Sequence, residues 1–261
     1  MRRISMYQVD AFTDRLFAGN PAAVCMLDDP LPVKLMQSIA TENNLSETAF
    51  VQNKGDHYNI RWFTPAAEVD LCGHATLASA WVIFNLLNHP LPEIRFESKS
   101  GLLKVTLEEN ILFLDFPSDT LTKVEDVSVL DGCLNFPIKE LYKGKWDYMA
   151  VLKNETEIEK LQVGMNCIAK LTSRGLIVTA PGDKVDFVSR FFAPQLNVPE
   201  DPVTGSAHTT LIPYWTKRLG KSMLTARQLS ERGGSLIGIH RGDRCLIGGE
   251  ASLYMIAEIM V

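Results

Sequence analysis

Two stretches of the chain place reactive groups at the start of a helix-like run. FTPAAEVDLCGHATLASAW, residues 63–81, carries Cys72, Gly73 and His74 just ahead of apolar residues. FAPQLNVPEDPVTGSAHTT, residues 192–210, carries Glu200 and Asp201, then Gly205, Ser206 and His208. An imidazole binds or relays a proton near neutral pH, and a carboxylate accepts hydrogen bonds from an amine or a hydroxyl. A helix tip led by glycine offers unpaired backbone N–H groups and a partial positive charge, which together hold an anion. Small residues at the tip let a ligand approach closely. Polar groups of this kind converging on an apolar surround describe a site for a small molecule.

The two stretches are versions of one phrase. Each has an aromatic residue and a proline near a strand end, then acids, a glycine opening a helix, and a tryptophan inside it. Phe63 answers to Phe192 at 129 residues, Gly73 to Gly205 at 132 and Trp81 to Trp215 at 134. The offset drifts because the second loop is longer. A duplication whose helices merely cap themselves would account for the glycines and the serine without a ligand. The company of His74, Glu200, Asp201 and His208 is what favours binding, with His208 expected to face packing.

Strands and helices around the phrase repeat in a similar rhythm. Residues 3–12 and 20–27 read as strands around Gly19-Asn20-Pro21, 32–44 as a helix opened by Pro32, and 46–53 and 57–65 as strands. The helix after Gly73 is apolar on nearly every side, so the strands of its own half must wrap it. Alternation at Leu103, Val105 and Leu107, then Leu112, Leu114 and Phe116, marks a hairpin around Glu108-Glu109-Asn110. In the second half, WDYMAVL, SRGLIVTAPG and VDFVSRFFAP read as strands, and 155–171 as partly helical. GSAHTTLIPYWTKRLG is a helix, with Lys217 and Arg218 in its last turn and Gly220 as its cap. Pro213 is expected to kink it. The fold class is α+β, in two lobes spanning 1–120 and 121–261, with the last strand free to return to the first lobe and the crossover near 117–135.

The blocks DAFTDRLFAGNPAAV, NLSETAF, RWFTPAAEVDLCGHATLASA, RFFAPQLNVPEDPVTGSAH and RQLSERGGSL resemble the phenazine-biosynthesis-like (PhzF-like) isomerase family, in the family's order and over nearly the whole chain. The resemblance implies a diaminopimelate-epimerase-like fold: two pseudo-symmetric lobes, each a curved sheet or barrel around a central helix, with the active site between them. It implies a cofactor-independent isomerase that moves a proton between carbons of a small carboxylate substrate. Glu47 matches the family's catalytic glutamate; a buried carboxyl beside Ala49-Phe50-Val51 suits a proton shuttle, although a lone glutamate at a strand start is more often solvated. His74 matches the active-site histidine and Asp201 the substrate-holding aspartate, while Gly73, Gly205 and Ser206 would offer donors to a carboxylate. A homodimer is implied by the same likeness.

Other readings stay open. Related amino-acid epimerases of this fold use two thiols, and Cys72 is the candidate here, but the block PEDPVTGSAH supplies no second cysteine. A non-catalytic small-molecule-binding or interaction protein could retain the same cleft. The histidines show no metal-ligand spacing, and no glycine-rich segment has the strand–GxGxxG–helix context, so neither metal nor cofactor is expected. With 26 basic and 31 acidic residues the formal charge is −5, against a nucleic-acid or anionic-membrane partner. Five cysteines without C-x-x-C spacing suggest free thiols in a reducing, cytoplasmic setting. The apolar run after Gly73 is too short and too interrupted by polar residues to span a bilayer.

Overall fold

The computed structural model describes residues 2–261 and divides into two compact units: the chain up to Asp115 with Gly248–Val261, and Phe116–Ile247. The units part between Asp115 and Phe116, where 120/121 was expected, and the last strand returns to the first unit, the course left open for it. Pairing explains this. The C-terminal strand Ala251–Met260 runs antiparallel to β1 (Arg3–Ala11), with Arg3 opposite Met260 and Ala11 opposite Ala251.

In the first unit, β1 turns into the antiparallel β2 (Asn20–Leu27). At that turn Gly19 has φ +64°, and a Cβ there would collide with the carbonyl oxygen of Ala11. β3 (Glu47–Asn53) lies parallel to β2, which requires a crossover, and α1 (Val33–Asn43) supplies it. β4 (Tyr58–Phe63) returns antiparallel to β3, and the short β5 (Glu68–Val69) pairs with its end. After α2 (Gly73–Asn85), β6 (Glu93–Ser98) joins parallel to β4, and β7 (Gly101–Glu108) and β8 (Ile111–Pro117) continue as antiparallel neighbours. Glu109 makes the hairpin turn with φ +55°. α2 packs on β1, β2, β3 and the C-terminal strand, and every residue from His74 to Ala80 is buried. This is the wrapping that a helix without a polar face demands.

The second unit repeats the pairing order. β9 (Thr122–Val124) and a 3-10 turn at Val127–Leu130 occupy the expected crossover. β10 (Glu140–Lys143) pairs antiparallel with β11 (Tyr148–Val151), and β12 (Leu176–Pro181) lies parallel to β11 across the short helices α3 (Glu155–Glu159) and α4 (Met165–Ile168). β13 (Phe187–Ala193) is antiparallel to β12, and β14 (Val198–Asp201) pairs with it before α5 (Gly205–Leu219). β15 (Met223–Gln228) is then parallel to β13, as β6 is to β4, and β16 (Gly234–Arg241) and β17 (Arg244–Gly249) follow. The doubled phrase in the sequence is thus a doubled strand order. α5 continues through Pro213 to a left-handed cap at Gly220. The Thr209 carbonyl, which Pro213 cannot serve, accepts the Asp119 N–H at 3.0 Å. Inside this unit Trp215 stacks on Phe187 and donates to the Thr179 hydroxyl at 3.0 Å.

The cysteines differ from expectation. Cys133 and Cys167 form a disulfide, with Cα atoms 5.3 Å apart. The Gly164 N–H on the Cys133 carbonyl at 2.8 Å and the Leu134–Val163 bridge draw the two segments together, which their separation of 34 residues does not reveal. Cys25, Cys72 and Cys245 remain buried thiols. The inference of a reducing compartment loses its basis in five free thiols. Among the described residues no helix is long and apolar enough to cross a membrane.

Candidate active site

Glu47 owes its placement to strand alternation. On β3, Phe50 belongs to a core cluster with Met36, Ile39 and Ala40 of α1, and Thr48 accepts from Asn43 of the same helix at 3.0 Å. Successive side chains point to opposite faces, so Glu47, Ala49 and Val51 turn towards α2, which packs against this strand. The carboxyl thereby reaches the α2 tip with its side chain only 18% exposed.

At that tip Cys72 occupies the N-cap position in extended conformation and makes no side-chain cap hydrogen bond. His74 is buried between two partners: Nδ1 lies 3.6 Å from Cys72 Sγ, and Nε2 lies 3.1 Å from Glu47 Oε2. The second distance is an ion-pair distance, yet the ring N–H is not aimed at the oxygen, so Nε2 lacks an aligned acceptor. Charge attraction needs no such alignment, and the misaligned donor can turn to a bound substrate. Burial works to lower the His74 pKa, but Cys72 and Glu47 outweigh it and hold the pKa well above the ordinary histidine value. Burial, joined by the Glu47 charge, pushes the Cys72 thiol up. Each shift thus favours the protonated form of its group beside the Glu47 carboxyl group.

One ligand atom from each of Glu47, Cys72 and His74 falls within 4.8 Å of the others, a gathering that linear spacing did not show. Thiol, imidazole and carboxylate are metal-ligand types. Here Cys72 and Glu47 lie beside different nitrogens of one ring.

In the second unit the α5 tip is built from Thr204, Gly205 and Ser206. Asp201 accepts the Thr204 hydroxyl at 2.6 Å, and Gln228 fixes the turn by accepting the Thr204 N–H at 2.9 Å and donating to the Asp201 carbonyl at 2.7 Å. Arg174 donates to Ser206 Oγ at 2.9 Å and is gripped from behind by Asp147, with Nε donating to Oδ1 at 3.0 Å and Nη2 to Oδ2. Glu200, adjacent to Asp201, is committed to Arg190 through bonds of 2.7 and 2.8 Å. His208 faces packing as expected: it is buried beside Phe187, its Nδ1–H donates to the Thr204 carbonyl at 2.8 Å, and burial lowers its pKa to about 4. Glu47, Gly73 and His74 thus gather in the first unit, and Asp201, Gly205 and Ser206 in the second. Sequence reasoning missed Arg174, Asp147, Thr204 and Gln228. Gln228 stands inside the block RQLSERGGSL, the one signal that pointed to it.

Two copies of one strand order, each with a helix set against its sheet, make the α+β fold of the diaminopimelate-epimerase-like proteins. The profile of phenazine biosynthesis-like proteins matches residues 9–256, and the chain belongs to that family. It is 48% identical to an uncharacterized isomerase of Pseudomonas aeruginosa over 98% of both chains. It is 39% identical to the phenazine biosynthesis-like domain-containing protein of Bos taurus, over 97% of this chain and 98% of that one. The crystal structure of a PhzF-family phenazine biosynthesis protein from Enterococcus faecalis matches all of both chains, with TM-score 0.97 and 46% identity.

Proposed function

We propose that the protein is a cofactor-independent isomerase that moves a proton between carbons of a small carboxylate substrate, with Glu47 as the shuttle. The supporting observation is the Glu47–His74 pair at the α2 tip, 3.1 Å apart and largely shielded from water. In this reading Glu47 takes a proton from one carbon and returns it to another. His74 balances the carboxylate charge and turns its free N–H to the substrate. In the first unit the backbone donors at the Gly73 tip receive a carboxylate; in the second, Gly205 and Ser206 offer donors of the same kind and Asp201 an acceptor for an amine or hydroxyl. Because the removed proton is returned, the step needs no oxidant or reductant.

The test begins with small carboxylic acids screened by thermal shift, and hits followed by NMR in heavy water. The wild type should exchange a carbon-bound hydrogen of a binder for deuterium. Glu47→Gln should still bind it but exchange roughly 10²–10⁴-fold more slowly. Undiminished exchange by that variant removes Glu47 from the role. Binding without any exchange in the wild type makes this a binding protein instead.

A further inference from the structure

We propose that Cys72 is a positioning residue of this proton site: its sulfur accepts the Nδ1–H of His74 and so keeps the imidazolium in place with its other N–H on the Glu47 side. The inference deepens the reading of Glu47 and His74 as a proton-handling pair, but it stands on the geometry of one ring. An imidazolium has two N–H groups, and a buried one needs an acceptor for both. Glu47 Oε2 stands 3.1 Å from Nε2 as an ion pair without an aligned hydrogen bond. At Nδ1 the neighbour is Cys72 Sγ at 3.6 Å, within reach of a hydrogen bond to sulfur.

The position of Cys72 in the helix strengthens the assignment. An N-cap side chain ordinarily accepts a backbone N–H of the first turn, and Ser, Thr, Asp or Asn does so best. Cys72 makes no well-formed side-chain cap, although the Ala75 N–H lies near enough to its sulfur to favour the thiolate, and the same sulfur lies 3.6 Å from the ring. The cap carbonyl instead holds the first turn, accepting the Thr76 hydroxyl at 2.6 Å and the Thr76 N–H at 3.2 Å.

Among the elements packed on α2, β3 contributes Glu47. On β1, Asp10 accepts the Phe17 N–H at 3.0 Å, and the Arg3 side chain is exposed. Cys25 of β2 is a buried thiol pushed up to about 12 by burial. Tyr254 and Glu258 of the C-terminal strand are exposed.

The experiment follows His74 by NMR in the full chain labelled with ¹⁵N-histidine, its signals assigned by their loss in His74→Asn. In the wild type both ring N–H signals should be present at neutral pH, with Nδ1–H exchanging with water more slowly than Nε2–H. Cys72→Ala should lower the ratio of imidazolium to imidazole at fixed pH by roughly tenfold, the scale of one lost hydrogen bond to a charged group. Cys72→Ser, which restores an acceptor, should recover most of it. If Cys72 were only a small filler, alanine would leave the titration unchanged and serine would gain nothing; either result overturns the proposal. The exchange rates in the wild type decide the matter even where the alanine variant fails to fold: equal, fast exchange at both nitrogens also overturns it. None of these readouts needs substrate, so loss of the isomerase reading and loss of the Cys72 role are told apart.

Discussion

Asp147 and Arg174 form a pair whose two halves stand in different surroundings, and this predicts unequal costs for removing them. The Asp147 side chain is 3% exposed, whereas that of Arg174 is 28% exposed. Arg174→Met leaves a carboxylate with almost no access to water and without its cation, a loss of about 3–5 kcal/mol. Lys143 lies close enough for its charge to interact with Asp147, which sets the expectation at the lower end, about 3 kcal/mol. Asp147→Asn keeps the shape and leaves the guanidinium partly hydrated, so the cost is about 1–2 kcal/mol. The double variant buries no unpaired charge and should be more stable than Arg174→Met alone. Urea melts followed by tryptophan fluorescence, with Trp215 buried and Trp146 exposed, give the midpoints. If Asp147→Asn costs as much as Arg174→Met, or if the double variant is the least stable of the three, the burial argument is wrong.

Two further expectations follow from the cysteines and the histidine. Closing a 34-residue separation, the Cys133–Cys167 disulfide should stabilise the second unit by about 4 kcal/mol through the unfolded chain. Melts with and without reductant should therefore separate, and coincident curves would show that the bond is not formed in solution. His74, with its pKa raised in the folded state, adds stability that is complete below the unfolded value of about 6.5 and disappears as pH rises through the higher folded value. Stability measured from pH 6 upward should show this decline, and Glu47→Gln should flatten it.

The strand–helix junctions were legible in the sequence because their signals are local. Gly73 and Gly205 open helices with small first turns, α2 announces its burial by lacking a polar face, and the 111–117 hairpin strand shows its alternation. The role given to Glu47 came from family likeness, since an isolated glutamate carries no local mark of burial. Arg174 and Asp147 were not legible because only the register of β11 on β12 joins them. Tyr148 sits opposite Leu176, so the residues just before each strand meet: the Tyr148 N–H reaches the Gly175 carbonyl at 3.1 Å, and the Arg174 N–H reaches that of Trp146 at 2.8 Å. The disulfide was hidden for the same reason, because residues far apart in sequence carry no pattern until a bridge such as Leu134–Val163 closes.

The same register shows how the two copies have diverged. Thr48 pairs with Phe63 in the first unit and Leu176 with Phe192 in the second, so Glu47 corresponds to Gly175. A Cβ at Gly175 would press on the Phe191 ring and the Phe192 carbonyl oxygen at 2.7 Å, which leaves no room for a carboxylate there. Its neighbour Arg174 reaches instead to Ser206, the second residue of its helix, much as Glu47 reaches to His74, the second residue of the other. One duplicated contact thus joins a carboxyl group to an imidazole in one copy and a guanidinium to a hydroxyl in the other. A guanidinium does not release its proton in a protein, and a serine hydroxyl has no proton to give near neutral pH. The second copy can hold and orient but cannot shuttle, so in the proposed reaction the proton would be carried by the first copy's contact, at Glu47.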